Sequence, residues 1–146
     1  MNHKLNILLA EDDADDRLLA EDALAESHIS GSLRCVEDGE ELLDYLHRRG
    51  GYADPGRSPR PDIILLDLNM PRKDGREALR EIKSDPDLRR IPVIALTTSK
   101  ESEDIRKTYD LGVSSYIKKP VSFDGLVDVM RMLGKYWNEM VELPAD

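Results

Sequence analysis

The chain is short of cysteine, of basic charge and of long apolar runs, and each shortage closes off a class of protein. One cysteine, Cys35, stands in 146 residues, so no internal disulfide can form and a reducing compartment is the expected setting. It lies in Leu33-Arg34-Cys35-Val36, where a packed strand residue is a simpler reading than a reactive thiol. Lysine and arginine number 21 against 30 acidic residues, a formal net charge of −9, which makes nucleic acid and anionic membrane poor partners for the whole chain. No run approaches the ~18 apolar residues of a membrane span. Met1-Asn2-His3-Lys4 leads directly into an apolar stretch without a signal region. A cytoplasmic protein is expected.

What is present describes one soluble domain with a heavily charged surface: 40% of residues are hydrophobic and 35% charged. Apolar runs predict strands over 5–10, 32–37, 63–67, 93–97 and 113–118. Ile7-Leu8-Leu9, Ile63-Ile64-Leu65-Leu66 and Val93-Ile94-Ala95-Leu96 are continuously apolar, as central parallel strands covered on both faces are. Between the strands the period is near 3.6: Leu19, Ala20, Ala23 and Leu24 share a face, as do Leu42, Leu43 and Leu46, and Leu126, Val127, Met130 and Leu133. Asp38-x-x-Glu41, Asp74-x-x-Glu77 and Thr98-x-x-Glu101 have capping-box form, and Gly112 suits a helix stop. Strand and helix alternating in this way imply right-handed crossovers and an α/β sandwich around a parallel sheet. The Gly- and Pro-dense stretch 50–61 reads as a loop.

Charge sits where such a sheet exposes its strand ends. The first strand runs into Glu11-Asp12-Asp13 and the third ends on Asp67, followed by Asn69. The fourth delivers Thr97, Thr98 and Ser99, and the fifth Lys118 and Lys119 before Pro120. Ligands gather at the carboxyl ends of parallel strands. Clustered carboxylates repel unless a cation lies among them, and oxygen-only ligands suit a hard divalent ion, Mg²⁺ foremost. Carboxylates, metal, hydroxyl and ammonium together form a cradle for a phosphoryl group. Within it Asp67 is the natural nucleophile for an acyl phosphate.

In these motifs, and over 5–136, the sequence resembles the receiver domain of two-component response regulators. The acidic pair Glu11-Asp12, Leu66-Asp67-Leu68-Asn69-Met70-Pro71 with Asp74-Gly75, Leu96-Thr97-Thr98 and Lys119-Pro120 occur in the family's order. The resemblance implies a doubly wound, flavodoxin-like (βα)5 fold with a parallel sheet of order 2-1-3-4-5. It implies that Asp67 is the phosphoacceptor, that Asp12 binds Mg²⁺ (with Mn²⁺ as a possible substitute), and that Glu11 supports the ion through water. Asn69 would add its backbone carbonyl, Thr97 would hydrogen-bond the phosphoryl oxygen, and Lys119 would pair with it. Lys118 would point to the opposite face, Lys119-Pro120 would be a cis peptide, and Tyr116 would be the aromatic partner of Thr97 in the switch. Thr98 departs from the small residue that commonly follows the switch threonine.

The expected organisation is a receiver over 1–137 and a short tail over 138–146 with no effector domain. Output would then leave by protein–protein contact. Candidate contacts are the helix beginning near Lys100, strand five with Tyr116, and the last helix with Met130, Leu133, Tyr136 and Trp137. The long loop and the ending Tyr136-Trp137 … Leu143-Pro144 resemble single-domain receivers that partner phytochrome-type sensor histidine kinases. In that group the face of the fourth helix, fifth strand and last helix mediates homodimers. The expected protein is a phosphoacceptor and not an enzyme acting on other substrates. The competing readings are a phosphate-independent interaction module, a phosphorelay intermediate, and a Mg-dependent aspartyl phosphatase. The last would want a second aspartate where Asn69 stands.

Overall fold

The structure, a computed structural model, describes residues 5–29, 31–68, 74–97, 106, 109–113, 115–118 and 122–135, the side chains of Thr97, Ser115 and Tyr116 excepted. Among these residues the strands are β1 (Leu5–Ala10), β2 (Gly31–Val36), β3 (Ile63–Leu66), β4 (Val93–Thr97) and β5 (Ser115–Lys118). They form one parallel sheet of order β2-β1-β3-β4-β5, the order that the sequence resemblance implies. The helices are α1 (Ala14–Glu26), α2 (Gly39–His47), α3 (Gly75–Ser84) and α4 (Phe123–Lys135). The helix expected to begin near Lys100 falls largely outside the described residues.

Side-chain alternation along the central strands divides the core in two. Leu8, Ala10, Ile64, Leu66, Val93 and Ala95 face one way and meet Leu42, Leu43 and Leu46 of α2 and Ala78, Leu79 and Ile82 of α3. Leu5, Ile7, Leu9, Ile63, Leu65 and Ile94 face the other way and meet Ala20, Ala23 and Leu24 of α1 and Val127, Met130 and Leu133 of α4. Each buried leucine or isoleucine is worth about 1.5–3 kcal/mol relative to exposure, which is why the continuously apolar runs settle at the middle of the sheet. The edge strand β2 buries only Val36.

Several local readings shift. Leu19 is 41% exposed; the inward stripe of α1 is the smaller set Ala20, Ala23 and Leu24. β3 stops at Leu66, one residue short of the expected end, although the Asp67 N–H still donates to Ala10 O at 3.0 Å. Val113 is buried but precedes β5, directly after the Gly112 turn with φ +104°.

The caps behave largely as expected. Asp38 Oδ1 accepts from Glu41 N–H at 2.8 Å, while the Glu41 carboxylate accepts from Glu37 N–H, one residue before the cap. Asp74 Oδ1 accepts from Arg76 N–H at 2.8 Å. Asp13 caps α1 by accepting from Asp16 N–H at 3.0 Å. The Thr98-x-x-Glu101 box lies outside the described residues.

The stretch 50–61 is a packed strap. It opens with a 3-10 turn over Gly50–Tyr52 and buries Ser58, whose hydroxyl donates to Tyr52 O and Asp54 O at 2.8 and 3.2 Å. Tyr45 of α2 donates to Pro59 O at 2.8 Å and lies 5.1 Å, centroid to centroid, from the Tyr52 ring.

Candidate functional site

The central pair β1 and β3 runs in register from Ile7↔Ile63 to Ala10↔Leu66, so the residues that follow, Glu11 and Asp67, leave the sheet side by side. Main-chain bonds fix both: Glu11 N–H donates to Val36 O and Asp67 N–H to Ala10 O, each at 3.0 Å. Their side chains are nearly enclosed, with Glu11 3% and Asp67 8% exposed. Asp12 lies in the open. Carboxylate oxygens of Glu11, Asp12 and Asp67 all come within 4.8 Å of one another.

Three carboxylates this close repel by several kcal/mol per pair at the effective dielectric of a protein surface. A divalent cation converts that repulsion into attraction. The donors are all oxygen, with no imidazole or thiolate among them, which fits a hard ion such as Mg²⁺, Ca²⁺ or Mn²⁺ and argues against a zinc centre. The cluster therefore fits the metal that the sequence implies.

The floor of the site is set by backbone. Gly75, the first residue of α3, sends its N–H to Leu68 O at 3.1 Å. A Cβ there would lie 2.6 Å from Asp67 O and 2.8 Å from Leu68 Cα. Only glycine lets α3 start so close to the strand end that carries Asp67.

Sequence reasoning passed over Arg17. Its Nη1 donates to Glu11 O at 2.9 Å and to Asp12 O at 3.0 Å, and its Nη2 lies 3.3 Å from the Glu37 carboxylate. A signal was available: Arg17 is the one lysine or arginine between Lys4 and Arg34, and it sits in the opening turn of a helix, where the dipole disfavours a cation.

Of the other expected site residues, Thr97 ends β4 and pairs in register with Lys118 of β5, and Tyr116 pairs with Ala95. Thr97 thus stands at the same carboxyl end of the sheet as Asp67, with β4 beside β3. Lys118 is exposed. Asn69, Thr98, Lys119 and the Lys119-Pro120 bond lie outside the described residues. Met130 and Leu133, expected as partner contacts, are instead buried in the core; the exposed large apolar residues of α4 are Met132, at 56%, and Phe123, at 37%. Tyr136 and Trp137 lie outside the described residues.

Cys35 packs against the core on the α1 side. Burial, reinforced by the Glu21 carboxylate, pushes its thiol up to about 11, so it is poorly suited to act as a nucleophile. Among the described residues no helix is long and apolar enough to cross a membrane.

Comparison with known proteins agrees with this geometry. The family model described as the response regulator receiver domain matches residues 7–131. The response regulator Rcp1 of Synechocystis sp. is 43% identical over 139 residues, covering 95% of this chain and 92% of that protein. A crystal structure of the phosphorylated cyanobacterial phytochrome response regulator RcpA superposes with a TM-score of 0.88 at 43% identity, over 98% of this chain and 100% of that one. The Mn(2+)-bound form of Rcp1 gives 0.84 at 42% identity, over 97% and 99%. The response regulator RPA3017, in red light signaling of R. palustris, gives 0.91 at 40% identity, over 97% and 99%.

Proposed function

The chain belongs to the response regulator receiver domain family, signalling proteins that partner sensor histidine kinases and whose general mechanism is phosphorylation on an aspartate, and on that premise we propose that Asp67 is its phosphoacceptor. The observation that carries the assignment is the convergence of Glu11, Asp12 and Asp67 within 4.8 Å at the carboxyl ends of the central strands. Asp67 is the member of that cluster on the strand next to β4 and Thr97.

In the transfer, an Asp67 carboxylate oxygen forms the new O–P bond as the P–N bond to the donor's imidazole breaks. The ring nitrogen leaves with the electron pair and is then protonated. Glu11, Asp12 and Asp67, with the Asn69 carbonyl, would hold a divalent ion, Mg²⁺ in the cell. Bound there, such an ion would supply positive charge against the phosphoryl oxygens. Thr97 donates its hydroxyl to a phosphoryl oxygen and Lys119 pairs with another, so the transferred charge is met from the β4 and β5 sides. The ring of Tyr116 follows Thr97, which carries the change to the face that includes β5 and α4.

The donor we assign is a phytochrome-type sensor histidine kinase. The similarity to RcpA, described as a phytochrome response regulator, supports that choice. Output passes through homodimers formed on the face that includes β5 and α4.

The test is intact mass after treatment with acetyl phosphate and Mg²⁺. Wild type is expected to gain one phosphoryl group and Asp67→Asn none. Labelling of Asp67→Asn to the wild-type level would overturn the assignment. Oligomer size measured on the same samples tests the dimer: an increase on phosphorylation supports it, and an unchanged monomer rejects it.

A further inference from the structure

Arg17 has no part in the reaction as described, yet it touches the metal-binding loop at two places. One guanidinium nitrogen bridges the carbonyls of Glu11 and Asp12 at 2.9 and 3.0 Å, the two consecutive residues whose carboxylates join Asp67 in the cluster. The side chain is 19% exposed; its bond to Glu11 O is partly buried and its bond to Asp12 O lies at the surface. Its second nitrogen reaches Glu37, which follows β2, at 3.3 Å. The guanidinium therefore ties the start of α1 and the segments leaving β1 and β2 together on the protein side of the site.

Pinning two successive carbonyls pins two peptide planes, and these set the directions in which the Glu11 and Asp12 side chains leave the backbone. In the absence of a cation the carboxylates repel, and Asp12, being exposed, is free to swing away. A planar guanidinium with several fixed donors can restrain both carbonyls; an ammonium at a lysine's reach is a single point of charge. A cation in the first turn of α1 runs against the helix dipole, so its presence there needs a compensating contact, and the two carbonyls provide one.

We propose that Arg17 is a positioning residue for the cation site: it holds the β1–α1 loop so that the carboxylates of Glu11 and Asp12 converge with that of Asp67 before the ion arrives. The inference rests on the metal reading given above. It also makes a prediction opposite to that of simple electrostatics. As a positive charge near a cation site, Arg17 would weaken binding, and its removal would tighten it. As a clamp, its removal loosens the loop and weakens binding.

The experiment is calorimetric titration of the full chain with Mn²⁺, comparing wild type, Arg17→Met, Arg17→Lys, Asp12→Asn and Ala23→Gly, with urea unfolding of each in the absence of metal. Arg17→Met is expected to bind Mn²⁺ about tenfold more weakly, in the range seen when groups that orient metal ligands are removed. Arg17→Lys is expected to fall between it and wild type. Ala23→Gly loosens α1 away from the loop and is expected to keep wild-type affinity while losing stability. Unchanged or tighter binding by Arg17→Met overturns the proposal, as does equal weakening by Ala23→Gly. If wild type binds Mn²⁺ and Asp12→Asn does not, the metal reading stands whatever Arg17 does. If folded wild type binds no Mn²⁺, both readings fall together.

Discussion

At the scale of single residues, the site depends as much on what is missing from a side chain as on what is present. Gly75 stands where any Cβ would lie 2.6 Å from Asp67 O. Gly75→Ala is expected to displace the start of α3 or the strand end, at a cost of about 1–3 kcal/mol. Urea unfolding would measure that, and the rate of Asp67 labelling by acetyl phosphate is expected to fall with it. A variant of wild-type stability and rate would mean that the close approach is not needed. Cys35 gives a second test. With its thiol raised from 9.0 to about 11 by burial and then by Glu21, its thiolate fraction near pH 8 is roughly a hundredfold below that of an ordinary cysteine. A thiol reagent should therefore react far more slowly with native than with urea-unfolded protein; equal rates would contradict the packed environment. Because the folded value lies above the unfolded one, this group's contribution to stability is whole below about pH 9 and is lost as pH rises towards 11. The carboxylates were legible in the sequence because charge at the end of an apolar strand is conspicuous. Arg17 was passed over: its signal was only that of a lone cation in an acidic first turn, two of its three partners are carbonyls, and main-chain atoms leave no trace in side-chain chemistry.

At the scale of elements, the reading was best where local chemistry alone decides. The Asp13, Asp38 and Asp74 caps each accept from an N–H in the first turn of their helix, and only the Asp13 cap was missing from the pattern read in the sequence. Replacing the buried Asp38 by alanine is expected to cost about 1 kcal/mol of stability. Chemical unfolding would show it as a lower midpoint with an unchanged slope; no loss would mean that the cap is redundant. Reading was poorer where tertiary packing decides. Periodicity gave Leu19 an inward face, whereas α1 and α4 enclose their side of the sheet with Ala20 and Ala23 and leave Leu19 outside. The last helix reversed in the other direction: Met130 and Leu133 were assigned to a partner and belong to the core. An apolar stripe records that a helix buries a face but not what it buries that face against. The strap over 50–61 was legible as irregular backbone from its glycines and prolines. Its order was not, because it comes from Ser58, Tyr45 and the carbonyls of Tyr52, Asp54 and Pro59, contacts that no local pattern encodes.

At the scale of the whole molecule, a site made of repelling carboxylates couples ligand binding to folding. The chain carries a net charge of −9, and the close packing of Glu11, Asp12 and Asp67 concentrates part of it at one point. A cation that binds only the folded form should stabilise it by about 2.7 kcal/mol at a free concentration one hundred times its dissociation constant. Thermal unfolding with and without Mn²⁺ or Mg²⁺ would read this as a rise in Tm, which Asp12→Asn should abolish; an equal rise in that variant would place the ion elsewhere. The same sheet that gathers these charges has β2 at one margin, and an unpaired margin of a sheet is a template on which further chains can grow. Here the margin carries the exposed Arg34, which reaches the carbonyl of Arg57 in the strap at 3.5 Å. A strap anchored to α2 and touching β2 is, in colloidal terms, a guard. Trimming it to a tight turn would strip Tyr52 from the core it covers and bare the β2 margin together, so that solubility is lost along with stability.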